Sequence, residues 1–290
     1  MNRTTEQVPL SPGSLAATVP TAFSEDSATS TNESLPQRKE AHRAGLLIVN
    51  ADDWGRDPYT TDRILDCSAR GVVSSVSAMV FMEDSERAAA MAVQLGIDAG
   101  LHLNFTTEFS SPHCPARLIE HQRKLARYLS RHPFARAVFH PGLVRSFEYV
   151  VAAQIDEFCR LYKKSPARLD GHHHMHLCTN VLFGSFLPKG TIVRRHFSYE
   201  RGEKTVRNRI FRKFTSVMLL RRHRIVDFFF SLPPLEPANR LQWIFSLARQ
   251  SVVEIETHPV NPDEYRFLME GEILRLTIGL PITSGFVAPF

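Results

Sequence analysis

The chain has 290 residues, 43% of them hydrophobic and 22% charged, enough to bury a sizeable core. Its net charge of +5, from 35 basic against 30 acidic residues, is too mild a bias to argue by itself for a nucleic-acid or membrane partner. Cys67, Cys114, Cys159 and Cys178 are widely spaced with no C-x-x-C pair, which excludes a zinc ribbon and a dense disulfide scaffold and suits reduced thiols in a cytosol.

Residues 1–43 are rich in Ser, Thr, Pro and Glu and lack apolar periodicity, the composition of a disordered tail. The tail has no basic start leading into an apolar run, so it does not read as a secretory signal, and no apolar run in the chain approaches a membrane span. Order begins at Leu46-Leu47-Ile48-Val49, which fits a strand buried on both faces. Asn50-Ala51-Asp52-Asp53-Trp54-Gly55 follows at once. A helix is expected from about Thr60 to Arg70, stopped by Gly71; a strand over Val72 to Phe81; a helix over Asp84 to Leu95, stopped by Gly96; and a strand over Ile97 to Leu103. This alternation predicts a parallel sheet.

From Ser110 to Gly142 four prolines interrupt basic helical pieces, as in an insertion or a lid. Helical spacing resumes over Phe147 to Tyr162, and a strand is expected through Ala167 to His172. Further strands are expected at Thr191 to Arg195, Val226 to Phe230 and Val252 to Thr257, the last preceded by a helix over Asn239 to Gln250. The sum is an α/β, (β/α) barrel-like single domain over 44–290 with about seven parallel strands, near the eight of a closed barrel. The apolar stretch Leu276 to Phe290 suits either closure of the barrel bottom or a dimer contact.

The polar residues of interest cluster at the ends of these strands. Asp52 and Asp53 follow the first, His102 ends the third, His172 the next, Arg194 and Arg195 the one after, and His258 the last. Loops at the C-terminal face of an α/β barrel converge on one mouth, so these residues are expected to meet there. Adjacent carboxylates after a buried strand need partners: a divalent cation for one, with its neighbour taking a proton from water, or else a helix cap and Arg56.

The densest signal is Asp170-Gly171-His172-His173-His174-Met175-His176, whose imidazoles and carboxylate suit a divalent metal site. If the run is extended, alternation puts Asp170, His172, His174 and His176 on one face. His258, fixed by Pro259, has the chemistry of a general acid. Arg194 has that of a clamp on a substrate hydroxyl or on the base.

Together, Leu47-Ile-Val-Asn-Ala-Asp-Asp-Trp-Gly55, Gly100-Leu-His-Leu-Asn104, Asp170-Gly-His-His-His-Met-His176 and Thr257-His-Pro259 resemble the motifs of the YdjC-like carbohydrate deacetylase family, which includes chitooligosaccharide deacetylases and hopanoid-biosynthesis-associated deacetylases. The resemblance covers about Leu46 to His258. It implies a barrel-like fold and metal-dependent hydrolysis of an N-acetyl group from an amino sugar or oligosaccharide, with Mg²⁺ or Zn²⁺ as cofactor. Asp53, His102 and His172 would then hold the metal, Asp52 would be the general base and His258 the general acid, with His174, His176 and Arg194 orienting ligands or substrate. Cytoplasmic location is expected with this reading, and a homodimer is compatible with it.

A competing class rests on Arg194 to Arg224, which carries eleven Lys and Arg against Glu200 and Glu203. Val206, Ile210, Phe214, Val217 and Met218 form a helical stripe between these basic residues, as in helices that lie on anionic membranes. This segment suits a membrane- or nucleic-acid-binding module, or peripheral contact with the inner membrane; a solvated outer helix is the plain alternative. A metal hydrolase of another bond on the same barrel is a third class.

Overall fold

In a computed structural model of the protein, the described residues are 45–131, 134–199 and 205–284. The tail expected at 1–43 lies outside them, as do Glu200, Arg201, Glu203 and Lys204 of the basic segment. Seven strands, β1 (Leu46–Trp54), β2 (Ser75–Ala78), β3 (Ala99–Leu103), β4 (Arg168–Gly171), β5 (Ile192–Val193), β6 (Phe228–Ser231) and β7 (Val252–Thr257), form one parallel sheet in the order β5-β4-β3-β2-β1-β7-β6. The sheet curls into a half-barrel with helices around it. Between its edge strands, irregular chain completes the wall: the Val193 amide donates to the Arg224 carbonyl (2.9 Å) and the Ser198 amide to that of Phe229 (2.7 Å).

The helices follow from local chemistry. In α1 (Pro58–Ala69), Asp57 caps the N-terminus by accepting from the Thr60 amide, and Pro58 supplies a pre-set φ at the first turn. Helix α2 (Ser85–Leu95) stops at Gly96, whose φ of +69° suits the left-handed cap. The proline-interrupted stretch holds α3 (Ala116–Arg131), whose Leu118, Gln122, Leu125 and Leu129 are buried beside α4 (Val144–Tyr162). Pro112 and Pro115 precede this helix and Pro133 follows it, so they bound it rather than break it. After α5 (Thr179–Gly184), α6 (Val206–Leu220) and α7 (Ala238–Leu247), the chain ends its described part with α8 (Pro262–Met269) and α9 (Glu272–Leu276). Ile282 then bridges Leu47, so the apolar C-terminal stretch reaches the start of β1, the end of the sheet remote from the strand C-termini.

Alternation along the strands divides outside from inside. Leu47, Val49 and Ala51 of β1 pack in the main core, each removed from water at roughly 1–3 kcal/mol for a Val or Leu side chain. Ile48 joins a small inner cluster with Ile192, Val226, Phe229 and Val252. Above that apolar floor the inner residues become polar: Asn50, Asp52, Ser75, Ser77, His102, Arg168, Asp170, Arg194, Glu254 and Glu256 are all buried. Gly100 makes room for one of them, because a Cβ there would lie 2.9 Å from Cζ of Arg168. Arg168 crosses the interior to donate to Asn50 Oδ1 (2.9 Å) and the Val76 carbonyl (2.7 Å). Gly100→Ala is therefore expected to destabilise the fold by about 1–3 kcal/mol, measured by urea unfolding.

Candidate metal centre and active-site cleft

A break in register places both aspartates. Ala51 pairs with Val76 but Trp54 pairs with Ala78, so β1 fits one more residue than β2 between the same rungs. Asp53 absorbs it with a φ of +71°, rare for a residue with a side chain. Neighbours on a regular strand would face opposite ways; here Asp52 and Asp53 both line one cleft of about 490 Å³, with Arg56, His102, His172, His173, His174, Glu256 and His258.

Three donor atoms converge on its floor. Asp53 Oδ1 lies 3.0 Å from His172 Nδ1 and 3.4 Å from His102 Nε2. Ligand atoms of these three buried side chains all lie within 4.8 Å of one another. Asp53 Oδ1 and His102 Nε2 are nevertheless buried without a hydrogen-bond partner. Unsatisfied lone pairs aimed at a common point fit a cation, and an Asp-His-His set with room for water matches the donor chemistry of a hydrolytic metal. The other ring nitrogen of His102, Nδ1, is 2.7 Å from Asp170 Oδ1, which turns Nε2 toward that point. Burial lowers the His102 pKa, but Asp52, Asp170 and Asp53 outweigh it and push the imidazole up to about 10, so a cation at Nε2 would take the place of a proton. Burial likewise raises Asp53, and His102 and His172 more than reverse it, holding the carboxyl well below the usual range.

Asp52 has a different setting. Arg194 grips it with two bonds, Nη1 to Oδ2 at 2.6 Å and Nη2 to Oδ1 at 2.8 Å, and Asn50 donates to Oδ1 at 2.7 Å. Burial alone would raise its pKa; Arg194 and His102 overcome that and keep it ionised. A second donor group, Asp52, His102 and Asp170, also lies within reach of one point, but there the Arg194 and His102 hydrogen bonds already use the facing atoms. Arg194 itself is 1% exposed and also meets Asp170 (3.1 Å), Glu254 (2.8 Å) and Glu256 (3.3 Å). It holds carboxylates inside the barrel and is not among the residues that line the cleft.

The histidine run is not extended. It forms a 3₁₀ turn, His172–Leu177, in which His173 and His174 have left-handed φ of 55° and 56°. The expected common face dissolves accordingly. His172 points at Asp53; His173 contacts Thr106 Oγ1 (3.0 Å); His174 sits over Phe197 and 3.6 Å from Glu256. His176 is fully buried, its Nε2 2.9 Å from the Arg194 carbonyl, away from the cleft. His258 lines the cleft just past β7, the strand beside β1, where Glu264 of α8 fixes the turn by accepting from the His258 amide (2.9 Å) and the Thr257 hydroxyl (2.8 Å).

Glu254 and Glu256 are the residues that sequence reasoning missed. Their signal is present: Val-Val-Glu-Ile-Glu-Thr places carboxylates two apart on a fully buried strand, which requires a buried cation facing them. Burial pushes both above the ordinary carboxyl range, Glu256 furthest because Asp52 adds its negative charge.

Known proteins resemble this chain in fold or in sequence. A solved structure from Enterococcus faecalis V583, provisionally named for cellobiose-phosphate cleavage, superposes with a TM-score of 0.60 at 18% identity, covering 83% of this chain and 97% of that one. Among curated proteins, the chitooligosaccharide deacetylase of Proteus mirabilis (strain HI4320) is 31% identical over 138 residues, 48% of this chain and 53% of that protein. The chitooligosaccharide deacetylase of Serratia marcescens is 33% identical over 137 residues, 46% of this chain and 51% of that one. The chain thus spans about half the length of the curated relatives it matches. The sequence profile described as YdjC-like protein matches residues 46–273, nearly every strand and helix above, and the chain belongs to the YdjC-like protein family.

Proposed function

We propose that the protein is a metal-dependent hydrolase that removes the N-acetyl group of an amino sugar or oligosaccharide. The observation that carries this reading is the convergence of Asp53 Oδ1, His102 Nε2 and His172 Nδ1, two of them unpartnered, beside a carboxylate that Arg194 keeps charged. The names of the relatives matched over about half their length supply the substrate class. A membrane- or nucleic-acid-binding module would need no such convergence.

Asp53, His102 and His172 would hold the ion, and two imidazoles with one carboxylate suit Zn²⁺ better than Mg²⁺. A divalent cation there supplies a Lewis acid that polarises a carbonyl and acidifies water. Asp52, ionised and unable to rotate in the Arg194 fork, accepts the proton of the attacking water. The C–N bond then breaks, acetate leaves, and His258, just past the neighbouring strand β7, gives the departing nitrogen its proton. His174 and Glu256 also line the cleft and would meet sugar hydroxyls.

The test is acetate release from N-acetylglucosamine oligomers by protein stripped of metal and reconstituted with Zn²⁺, Mg²⁺, Mn²⁺ or Co²⁺. Release that returns with metal supports the reading, and stoichiometric metal without release from any oligomer overturns its substrate. His258→Gln is expected to lower kcat by about 10²–10⁴ with metal content unchanged. A leaving group that needs no proton should rescue this variant; absence of rescue would remove His258 from the acid role.

A further inference from the structure

Helix α6 turns an apolar stripe to water. Its inner face, with Thr215 and Leu219 buried, meets the body of the protein. On the outer face Val206, Ile210, Phe214, Val217 and Leu220 recur at helical spacing and are between 46% and 68% exposed. An ordinary surface helix shows the reverse pattern. The exposed stripe continues off the helix through rings in contact: Phe214 to Phe183 (centroids 6.5 Å apart) and Phe183 to Phe139 (6.4 Å), both of them also exposed. Contiguous exposed apolar surface of this kind marks a docking site.

Among the described residues around the stripe the charge has one sign, Glu200 and Glu203 lying outside them. Arg207, Arg209 and Lys213 stand exposed on α6 itself, with Lys213 within the apolar stripe, and Arg221 follows its last turn. The three segments that carry the stripe, 132–147, 171–199 and 204–226, contain no Asp or Glu. The chain's mild overall excess of +5 is thus concentrated where the apolar side chains are.

We infer that this face of α6, with Phe183 and Phe139, docks on an anionic lipid bilayer. Apolar side chains enter the headgroup boundary while the flanking and interleaved cations meet lipid phosphates, the arrangement of an interfacial helix. A second copy of the chain would set Arg207, Arg209 and Lys213 against themselves. A nucleic acid would use the cations but leave five apolar side chains in water. Arg212 of the helix also donates to the carbonyl of Phe197, which stacks on Phe229 and packs against His174 of the cleft. Docking therefore acts on an element tied to the cleft wall, although the inference does not depend on the reaction proposed there.

The experiment is co-sedimentation of the full chain with vesicles of phosphatidylcholine alone or mixed with phosphatidylglycerol, at low and high salt. Wild type is compared with Lys213→Glu and with the double variant Ile210→Ser/Phe214→Ser. Wild type is expected to bind the phosphatidylglycerol vesicles and to lose binding at high salt. The double variant should bind tenfold less or worse, and Lys213→Glu about fivefold less or worse. All three altered side chains are exposed, so melting temperature and acetate release from soluble oligomers should stay at the wild-type level. No association with the anionic vesicles, equal association with phosphatidylcholine alone, or binding untouched by the substitutions would each overturn the inference. So would self-association, or retention of an oligonucleotide, that these substitutions abolish in a protein that ignores vesicles.

Discussion

Asp52→Asn is expected to lower kcat by about 10²–10⁴ while metal content and melting temperature change little. The substitution keeps the shape of the side chain and one oxygen for Arg194, so the bidentate grip at 2.6 and 2.8 Å is weakened rather than removed. It removes the charge, and a neutral amide accepts no proton from water. The metal should remain because none of its three donors depends on Asp52: His102 is oriented by Asp170 at 2.7 Å, and Asp53 and His172 face each other directly. Turnover on the best N-acetylated oligomer, with metal counted per chain by atomic emission, separates the outcomes. Near-normal turnover would remove Asp52 from the base role. Lost metal would instead place the ion in the alternative group of Asp52, His102 and Asp170.

Much of this site was legible because parallel strands end at a common mouth. Reading Asp52, Asp53, His102, His172 and His258 as strand-end residues predicted that they would meet, and the structure lines one cleft with all five. What could not be read was the backbone that aims them. A strict strand would have sent Asp52 and Asp53 to opposite faces; the extra residue and positive φ at Asp53 are properties of pairing with β2, invisible without the partner strand. The His run failed for the same reason: alternation holds only for extended chain, and the left-handed turn at His173 and His174 cancels it.

The interior network was illegible for a different cause. Arg194 looked like a rim residue because it falls at the end of the strand expected over Thr191 to Arg195, but β5 stops at Val193 on the sheet edge and Arg194 crosses the barrel to reach Glu254 and Asp52 from β7 and β1. Sequence separation of 60 and 142 residues hides such pairs. Helix α3 shows the opposite case, since Leu118, Gln122, Leu125 and Leu129 repeat at helical spacing but the prolines on either side mask the pattern as interruptions.

Arg194→Met should cost about 3–5 kcal/mol at neutral pH, a large share of a typical domain's stability. Four buried carboxylates, Asp52, Asp170, Glu254 and Glu256, share this guanidinium, and methionine fills the space without a charge. The cost should depend on pH with a definite sign. Glu254 and Glu256 already titrate above the ordinary carboxyl range through burial, and Arg194 is what pulls them down. Without it their folded values rise further, so the folded variant holds more protons than the unfolded chain at any pH between the ordinary glutamate value of about 4.3 and the raised one. Stability of the variant must then fall as pH rises through that window, and its deficit against wild type should be smaller at pH 5.5 than at pH 7.5. Urea unfolding at both pH values measures this. Arg194→Lys, which keeps the charge and loses the fork, should recover part of the stability but less of the turnover, because one ammonium cannot hold Asp52 by both oxygens. A deficit under about 1 kcal/mol, or one that does not move with pH, would mean that the interior carboxylates are satisfied by something other than Arg194.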